Sequence, residues 1–257
     1  PLALNATFTL SPGDLVAPHL YDWFFDGVND YINVTDSPSI RGLQEFTVSY
    51  DVNFARLPSN VIYPTVVGKG YEGIGGWRTY QIKDRPVVAF VYKGADGNTR
   101  WPFETGSLSA MTWYGIAVSF SLSNVRAMMY LNGNLIKSSS NVVQIASYTR
   151  SLEIMKAPNT GLLSYVTLHS RELSGSEISS IYKSRVVPAS GLVLFLDATF
   201  WDGSKYVDLS GNGNHGTPYN GVQRVATSTP WLWLVKGLKS DGLVHFAWLP
   251  AGTRVAV

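Results

Sequence analysis

Short runs of β-branched and aromatic residues, each closed by glycine, proline, asparagine or aspartate, recur along the whole chain, as in Phe46–Val52, Pro86–Tyr92, Tyr114–Phe120, Val125–Leu131 and Gly191–Leu196. Runs of this length and make-up read as strands, and the residues between them tolerate the backbone angles of turns. Such a chain buries its apolar side chains by stacking sheet on sheet, so the pattern predicts an all-β sandwich. Asp96-Gly97 and Asn132-Gly133 supply residues that accept φ > 0, as two-residue hairpin turns require. MMYLNGNLIKS then reads as a hairpin with strands at Arg126–Leu131 and Asn134–Ser138. One helix stands out: in LSGSEISSIYK, Ser174 is followed three residues later by Glu177, a capping box, and Ile178, Ile181 and Tyr182 continue at helical spacing.

Composition removes several function classes. Twenty Lys and Arg against 18 Asp and Glu leave a net charge of +2, too weak a field to attract nucleic acid or an anionic membrane surface. The absence of cysteine rules out disulfides, thiolate metal sites and cysteine nucleophiles. No run approaches the ~20 apolar residues of a membrane helix, and the most apolar stretch, Trp231–Val235, stops at Lys236. Charged residues make up 15% and aromatics 13%, against ~25% charged in an average soluble domain; this balance points to a β-rich extracellular protein. Pro1 follows no Met or leader-type apolar region, which predicts a processed or excised chain and favours export. Asn5 and Asn33 open N-x-[ST] acceptors that are glycosylated only on an exported chain.

A composition shift after Arg224 divides the chain into 1–225 and 226–257, with VATSTP as a linker and the tail as a hairpin turning at Lys239–Gly242. Trp231, Trp233, Phe246 and Trp248 are too many large aromatics for two strands to bury alone. They cover either the parent sandwich or a neighbouring subunit.

Three segments carry a family resemblance. FFDGVNDYINVTDSPSI (24–40), LSAMTWYGIAVSFSLSNVRAMMYLNGNLIKSSS (108–140) and LSYVTLHSRELSGSEISSIY (163–182) resemble the laminin-G-like branch of the concanavalin A-like jelly rolls. The resemblance covers most of 20–183 and implies a jelly-roll β-sandwich with one short helix and, here, a C-terminal hairpin extension. GLVLFLDATFWDGSKYVDLSGNGNHGT (191–217) is similar to the family's opening segment, yet comes last. Gly191–Leu196 could then fill the first-strand place in its own molecule, as a circular permutation would, fill that place in a neighbour and so build an oligomer, or begin a truncated repeat. The first is favoured, because a lone half-sandwich leaves unpaired edges.

The resemblance implies that DLSGNGNHGT (208–217) is a structured turn. Its alternative is a calcium site built on Asp208, Asn212 and Asn214, with a second oxygen cluster at Asp26, Asn29 and Asp30. Sugar-cleaving relatives need carboxylates at alternate positions of one strand, and no E-x-D-x-E pattern occurs: Glu45, Glu104, Glu153 and Glu172 are isolated. His19, His169, His215 and His245 lack metal-ligand spacing, G-x-S-x-G is absent, and GKGYEGIGG (68–76) reads as a hairpin loop. Tyr71, Trp77, Tyr80 and Trp101 lie in or near loop-like segments, where a sugar's apolar face could stack. The expectation is an extracellular, non-enzymatic recognition module for glycans. The alternatives are a structural subunit of a filament, coat or virion joined by terminal strand exchange and, distantly, a polysaccharide-active enzyme.

Overall fold

The computed structural model describes residues 14–56, 63–71, 75–156 and 158–236. The strands are β1 (Leu15–Asp26), β2 (Tyr31–Val34), β3 (Glu45–Phe54), β4 (Thr65–Tyr71), β5 (Gly75–Gln81), β6 (Val88–Lys93), β7 (Thr99–Glu104) and β8 (Trp113–Ser121). They continue as β9 (Arg126–Leu131), β10 (Asn134–Ser139), β11 (Leu152–Ile154) and β12 (Thr160–His169). After helix α1 (Gly175–Ser184) come β13 (Val186–Pro188), β14 (Leu192–Asp197), β15 (Gly216–Tyr219) and β16 (Gln223–Lys236). They form two sheets. The larger runs β10-β9-β8-β3-β12-β1-β16-β13, with β14 also paired to β12; the smaller runs β15-β2-β11-β4-β5-β6-β7.

The alternation in EFTVSYDVNF shows how the layers form. Phe46, Val48, Tyr50, Val52 and Phe54 on β3 enter the main core with Trp77, Phe90 and Ile154 of the smaller sheet. Thr47, Ser49 and Asp51 occupy the opposite face, which is also buried. There a second core joins Ile178 and Ile181 of α1 to Tyr165, Phe195 and Trp233. The polar β3 residues find partners beneath it: Thr47 Oγ1 donates to Arg171 O, Ser49 pairs with Thr167, and Arg185 Nη1 donates to Asp51 Oδ2 at 2.7 Å. The expected capping box is present, with Ser174 Oγ accepting the Glu177 N–H. The Arg171 guanidinium and that cap hold the Glu177 carboxyl down at about 2.

The Asn132-Gly133 hairpin forms as expected, both residues having positive φ (52° and 75°). At Asp96-Gly97 only Gly97 does so (82°); the turn is wider, closed by Gly94 N–H donating to Asn98 O. The 68–76 segment is not a loop throughout, since Gly68–Tyr71 and Gly75–Gly76 belong to paired strands. The expected linker VATSTP is strand. β16 runs without interruption across the 225/226 division, antiparallel to β1 and, at its end, parallel to β13. Val225 and Ala226 pair with Asp22 and Tyr21 of β1, the register breaks over the next four residues, and pairing resumes at Trp231 opposite His19; loop-type residues in the strand do not prevent this. The expected turn at Lys239–Gly242 lies outside the described residues.

β14 pairs with β12 of the same chain, Leu192–Asp197 against Tyr165–His169. The first half of that β12 edge, Thr160–Leu163, pairs with Asp26–Trp23 of β1. Two segments from opposite ends of the chain therefore share one edge.

Candidate functional site

The 208–217 stretch is a structured turn whose polar atoms are engaged. Asp208 Oδ1 accepts the Phe195 and Ser210 N–H groups at 2.9 and 3.0 Å, and Oδ2 accepts the Ser210 hydroxyl at 2.8 Å and the Asn214 N–H at 2.9 Å. Asn212 Nδ2 donates to Leu192 O, while Asn214 Nδ2 donates to Val193 O and Ser39 Oγ and its Oδ1 accepts from Ser37. These bonds tie the turn to β14 and to the DSPSI segment. With both Asp208 oxygens facing donors, the turn does not fit calcium, which needs 6–8 free oxygen ligands.

In the FDGVND turn, Asp26 and Asp30 come together. Asp26 Oδ1 accepts the Val28 N–H, Asp30 Oδ2 accepts the Asp26 N–H, and the Asn29 carbonyl accepts from Asn220 Nδ2. Burial first, and the Asp26 charge after it, raise the Asp30 pKa. Among the described residues no three His, Cys, Asp or Glu side chains converge as a metal site would need.

The expected sugar-binding aromatics are not brought together. Trp77 is only 4% exposed and stacks on Phe46 in the main core; Tyr80 is 3% exposed, packed edge-on against Tyr63. Neither offers a face to a ligand, because β5 is covered on both sides. Trp101 is 60% exposed on β7, and Tyr71 ends β4. The tail aromatics also turn inward. Trp233 is fully buried against Tyr165 and Phe195, and Trp231 is half-buried; Phe246 and Trp248 lie outside the described residues. Trp233 therefore has no surface for a neighbouring subunit. Asn33 is half-exposed on β2, whereas Asn5 lies outside the described residues.

A concave site forms where β1 meets the loop after β14. A cavity of about 240 Å³ is lined by Pro18, Leu20, Thr199, Phe200, Trp201, Asp202 and Val207. This is below the ~300–1,000 Å³ of drug-sized pockets and suits a single ring. Asp202 Oδ1 accepts the Ser204 N–H, the Ser204 hydroxyl and the Lys205 N–H, which leaves Oδ2 outside that turn's hydrogen bonds. Those donors hold the Asp202 pKa down. Trp201, in the turn-rich FWDG, is not among the aromatics expected to bind sugar, and its partners Pro18 and Leu20 come from a distant segment of the chain.

Behind this cavity lies a buried charge cluster. His19 Nδ1 is 2.7 Å from Asp197 Oδ2, and its Nε2 is 3.1 Å from Asp22 Oδ1. Carboxylates only accept, so both ring nitrogens carry protons and His19 is an imidazolium. Burial opposes that charge, yet the Asp197 and Asp22 carboxylates outweigh it and hold the pKa up at about 9. Asp22 also accepts the Ser164 hydroxyl at 2.6 Å, and Asp197 accepts Trp233 Nε1–H at 2.9 Å and the Thr199 N–H at 2.8 Å. The His19 ring stacks on Trp231 at 3.9 Å, and the Arg185 guanidinium lies over the same indole at 4.2 Å. His19 and Asp197 are 178 residues apart, so no local spacing announces the pair.

Three of the solved structures that share this fold illustrate the likeness. A Bacteroides ovatus protein assigned to carbohydrate binding is 17% identical, with TM-score 0.62 over 83% of this chain and 61% of its own. The heptameric SAP-like pentraxin of Limulus polyphemus is 11% identical, with TM-score 0.50 over 86% of this chain and 98% of its own. The binding domain of Paraclostridial Mosquitocidal Protein 1 is 19% identical, with TM-score 0.51 over 68% of this chain and 47% of its own. The chain thus spans under two thirds of the Bacteroides and Paraclostridial chains. A comparison with curated protein sequences finds no match. Residues 26–179, more than half of the 257, match the Laminin_G_3 profile, and the chain belongs to this family of the concanavalin A-like lectin/glucanases superfamily.

Proposed function

We propose that this domain is an extracellular, non-catalytic carbohydrate-recognition module that takes one pyranose ring into the Trp201 cavity. The observation that carries the reading is the cavity itself: Phe200 and Trp201 give it aromatic walls, and Asp202 supplies an uncommitted carboxylate oxygen. Sugar sites pair these two features, an aromatic wall for the C–H face of the ring and a fixed acceptor for its hydroxyls. The lectin part of the superfamily's description and the carbohydrate-binding assignment of the Bacteroides ovatus protein support the ligand class. A binding role fits better than hydrolysis, because the acids flanking His19 are at most 3% exposed and meet no substrate. The half-exposed sequon at Asn33 and the low charged fraction agree with export.

The test is calorimetric titration with methyl glycosides of glucose, galactose, mannose and N-acetylglucosamine. Trp201→Ala is expected to lose binding at least tenfold, about 1.4 kcal/mol or more, while Trp101→Ala leaves it unchanged. A sugar held equally by wild type and Trp201→Ala refutes the cavity as the site.

A further inference from the structure

We propose that the His19 imidazolium is a positioning residue that holds the two walls of the Trp201 cavity together, so that losing its proton at alkaline pH opens the site. The inference rests on the sugar-binding reading only for the identity of the occupant.

One wall is Pro18 and Leu20, the immediate neighbours of His19 on β1; the other is Thr199–Asp202, which closely follows Asp197. A chain of hydrogen bonds connects them, with the Tyr21 N–H also donating to Thr199 Oγ1 at 3.4 Å. His19 Nδ1–H donates to Asp197 Oδ2 at 2.7 Å, Asp197 Oδ1 accepts the Thr199 N–H at 2.8 Å, and Thr199 Oγ1 accepts the Leu20 N–H at 2.8 Å. β1 breaks register between His19 and Tyr21. The Leu20 amide, which that irregularity takes out of the ladder with β16, is satisfied by the Thr199 hydroxyl instead.

The chemistry of the ring makes this clasp sensitive to one proton. A neutral imidazole has one N–H and one lone pair, so it can serve Asp22 or Asp197 but presents a lone pair to the other. Ser164, Trp233 and Thr199 would still donate to the two carboxylates, but the cation between them would be gone and one oxygen would face a ring lone pair, and relief comes from separation.

The surroundings leave few other routes. From β1 the ring faces Asp22, from the end of β14 it faces Asp197, and from β16 Trp231 stacks on it while the uncharged Trp233 bonds Asp197. β12 contributes Ser164, bonded to Asp22, and Tyr165. Beyond Trp231, the Arg185 guanidinium is paired to Asp51 of β3. Among the described residues no other histidine lies in this cluster: His169 bonds Pro188 O, and His215 serves the Asp208 turn.

The experiment is hydrogen exchange of the Leu20 and Thr199 amides in the ligand-free protein from pH 6 to 10, corrected for intrinsic rates, beside calorimetry with the tightest methyl glycoside of the panel. Protection of both amides is expected to fall at least tenfold with a midpoint near pH 9, and sugar affinity to fall with it, a unit of pH beyond the midpoint giving about tenfold. Asp22→Asn removes one of the two carboxylates and is expected to bring the midpoint down by about a unit. Flat protection from pH 6 to 10, or a midpoint that Asp22→Asn leaves in place, overturns the clasp. Loss of protection at pH 9 with no methyl glycoside bound at any pH upholds the clasp and removes the sugar as its occupant.

Discussion

Replacing Trp233 tests whether the C-terminal strand is a full member of the fold. Trp233 is 0% exposed, packs at 4.6 Å from Tyr165 and 5.3 Å from Phe195, and donates Nε1–H to Asp197 Oδ2 at 2.9 Å. Trp233→Phe keeps a ring in that pocket but deletes the donor. A hydrogen bond to a charged acceptor contributes about 1.5–3 kcal/mol, and the smaller ring leaves a void that adds on the order of 1 kcal/mol. The expected loss is therefore about 2.5–4 kcal/mol. Trp233→Ala empties the pocket as well and reaches roughly 3–5 kcal/mol, a large share of the ~5–15 kcal/mol that keeps a domain folded. Urea unfolding near pH 6.5 reads both, with the slope m checked for constancy so that the midpoint shift reports stability alone. If Trp233→Phe falls within about 0.5 kcal/mol of wild type, the indole–Asp197 bond does not hold the strand. If Trp233→Ala also costs under about 1 kcal/mol, β16 is peripheral and its long pairing with β1 is not energetically integrated.

Three further outcomes are expected. Asp208→Asn places an amide N–H₂ against donors that now meet a carboxylate, and should cost about 1.5–3 kcal/mol; a chelator should leave the melting temperature of the wild type unchanged, and a chelator-induced drop would restore the calcium reading. The two buried histidines tilt stability in opposite directions. Burial lowers the His169 pKa to about 4, so stability is lost as pH falls from about 6.5 through 4, whereas the raised His19 pKa gives stability that is lost as pH rises from about 6.5 through 9. Urea midpoints should peak near pH 6.5, and a continued rise from pH 6.5 to 9 would sink the imidazolium assignment. Gly161 has φ +139° where β12 pairs with Phe54 of β3, and a Cβ there would stand 2.1 Å from Asn53 O. Gly161→Ala should cost more than about 1 kcal/mol, and a neutral effect by thermal unfolding would contradict so close an approach of the two backbones.

The strands, the Asn-Gly hairpin and the helix cap were legible because each depends on residues within a few positions of one another. Ser174 and Glu177 answer each other across a single turn, and EFTVSYDVNF carries its two faces in its own alternation. What escaped depends on burial imposed from elsewhere. Trp77 and Tyr80 sit among glycines and polar residues, as surface loop residues do, yet β5 lies between other strands and its aromatics turn inward. VATSTP has the make-up of a linker, yet it lies within β16, anchored to β1 at Val225 and Ala226 and again from Trp231 onward. The candidate cavity needed Leu20 to meet Trp201, a contact between segments that local spacing cannot foresee. The motif that looked most like a ligand site, Asp208 to Thr217, proved to spend its polar atoms on its own backbone and on Ser37 and Ser39.

The division of one β12 edge between β1 and β14 has a consequence for how the chain is made. During synthesis the N-terminal parts of a protein emerge first, at about 5–20 residues per second. β1, β3 and β12 can meet once residue 169 is free, but the Tyr165–His169 half of the β12 edge then stays open until Leu192–Asp197 follows, and β1 waits longer for β16. A nascent chain thus carries a bare strand edge in the middle of its larger sheet, the kind of template on which other chains add. A ribosome pausing between His169 and Leu192 would hold the protein at its most sticky moment, and a chaperone that guards strand edges would find its work there.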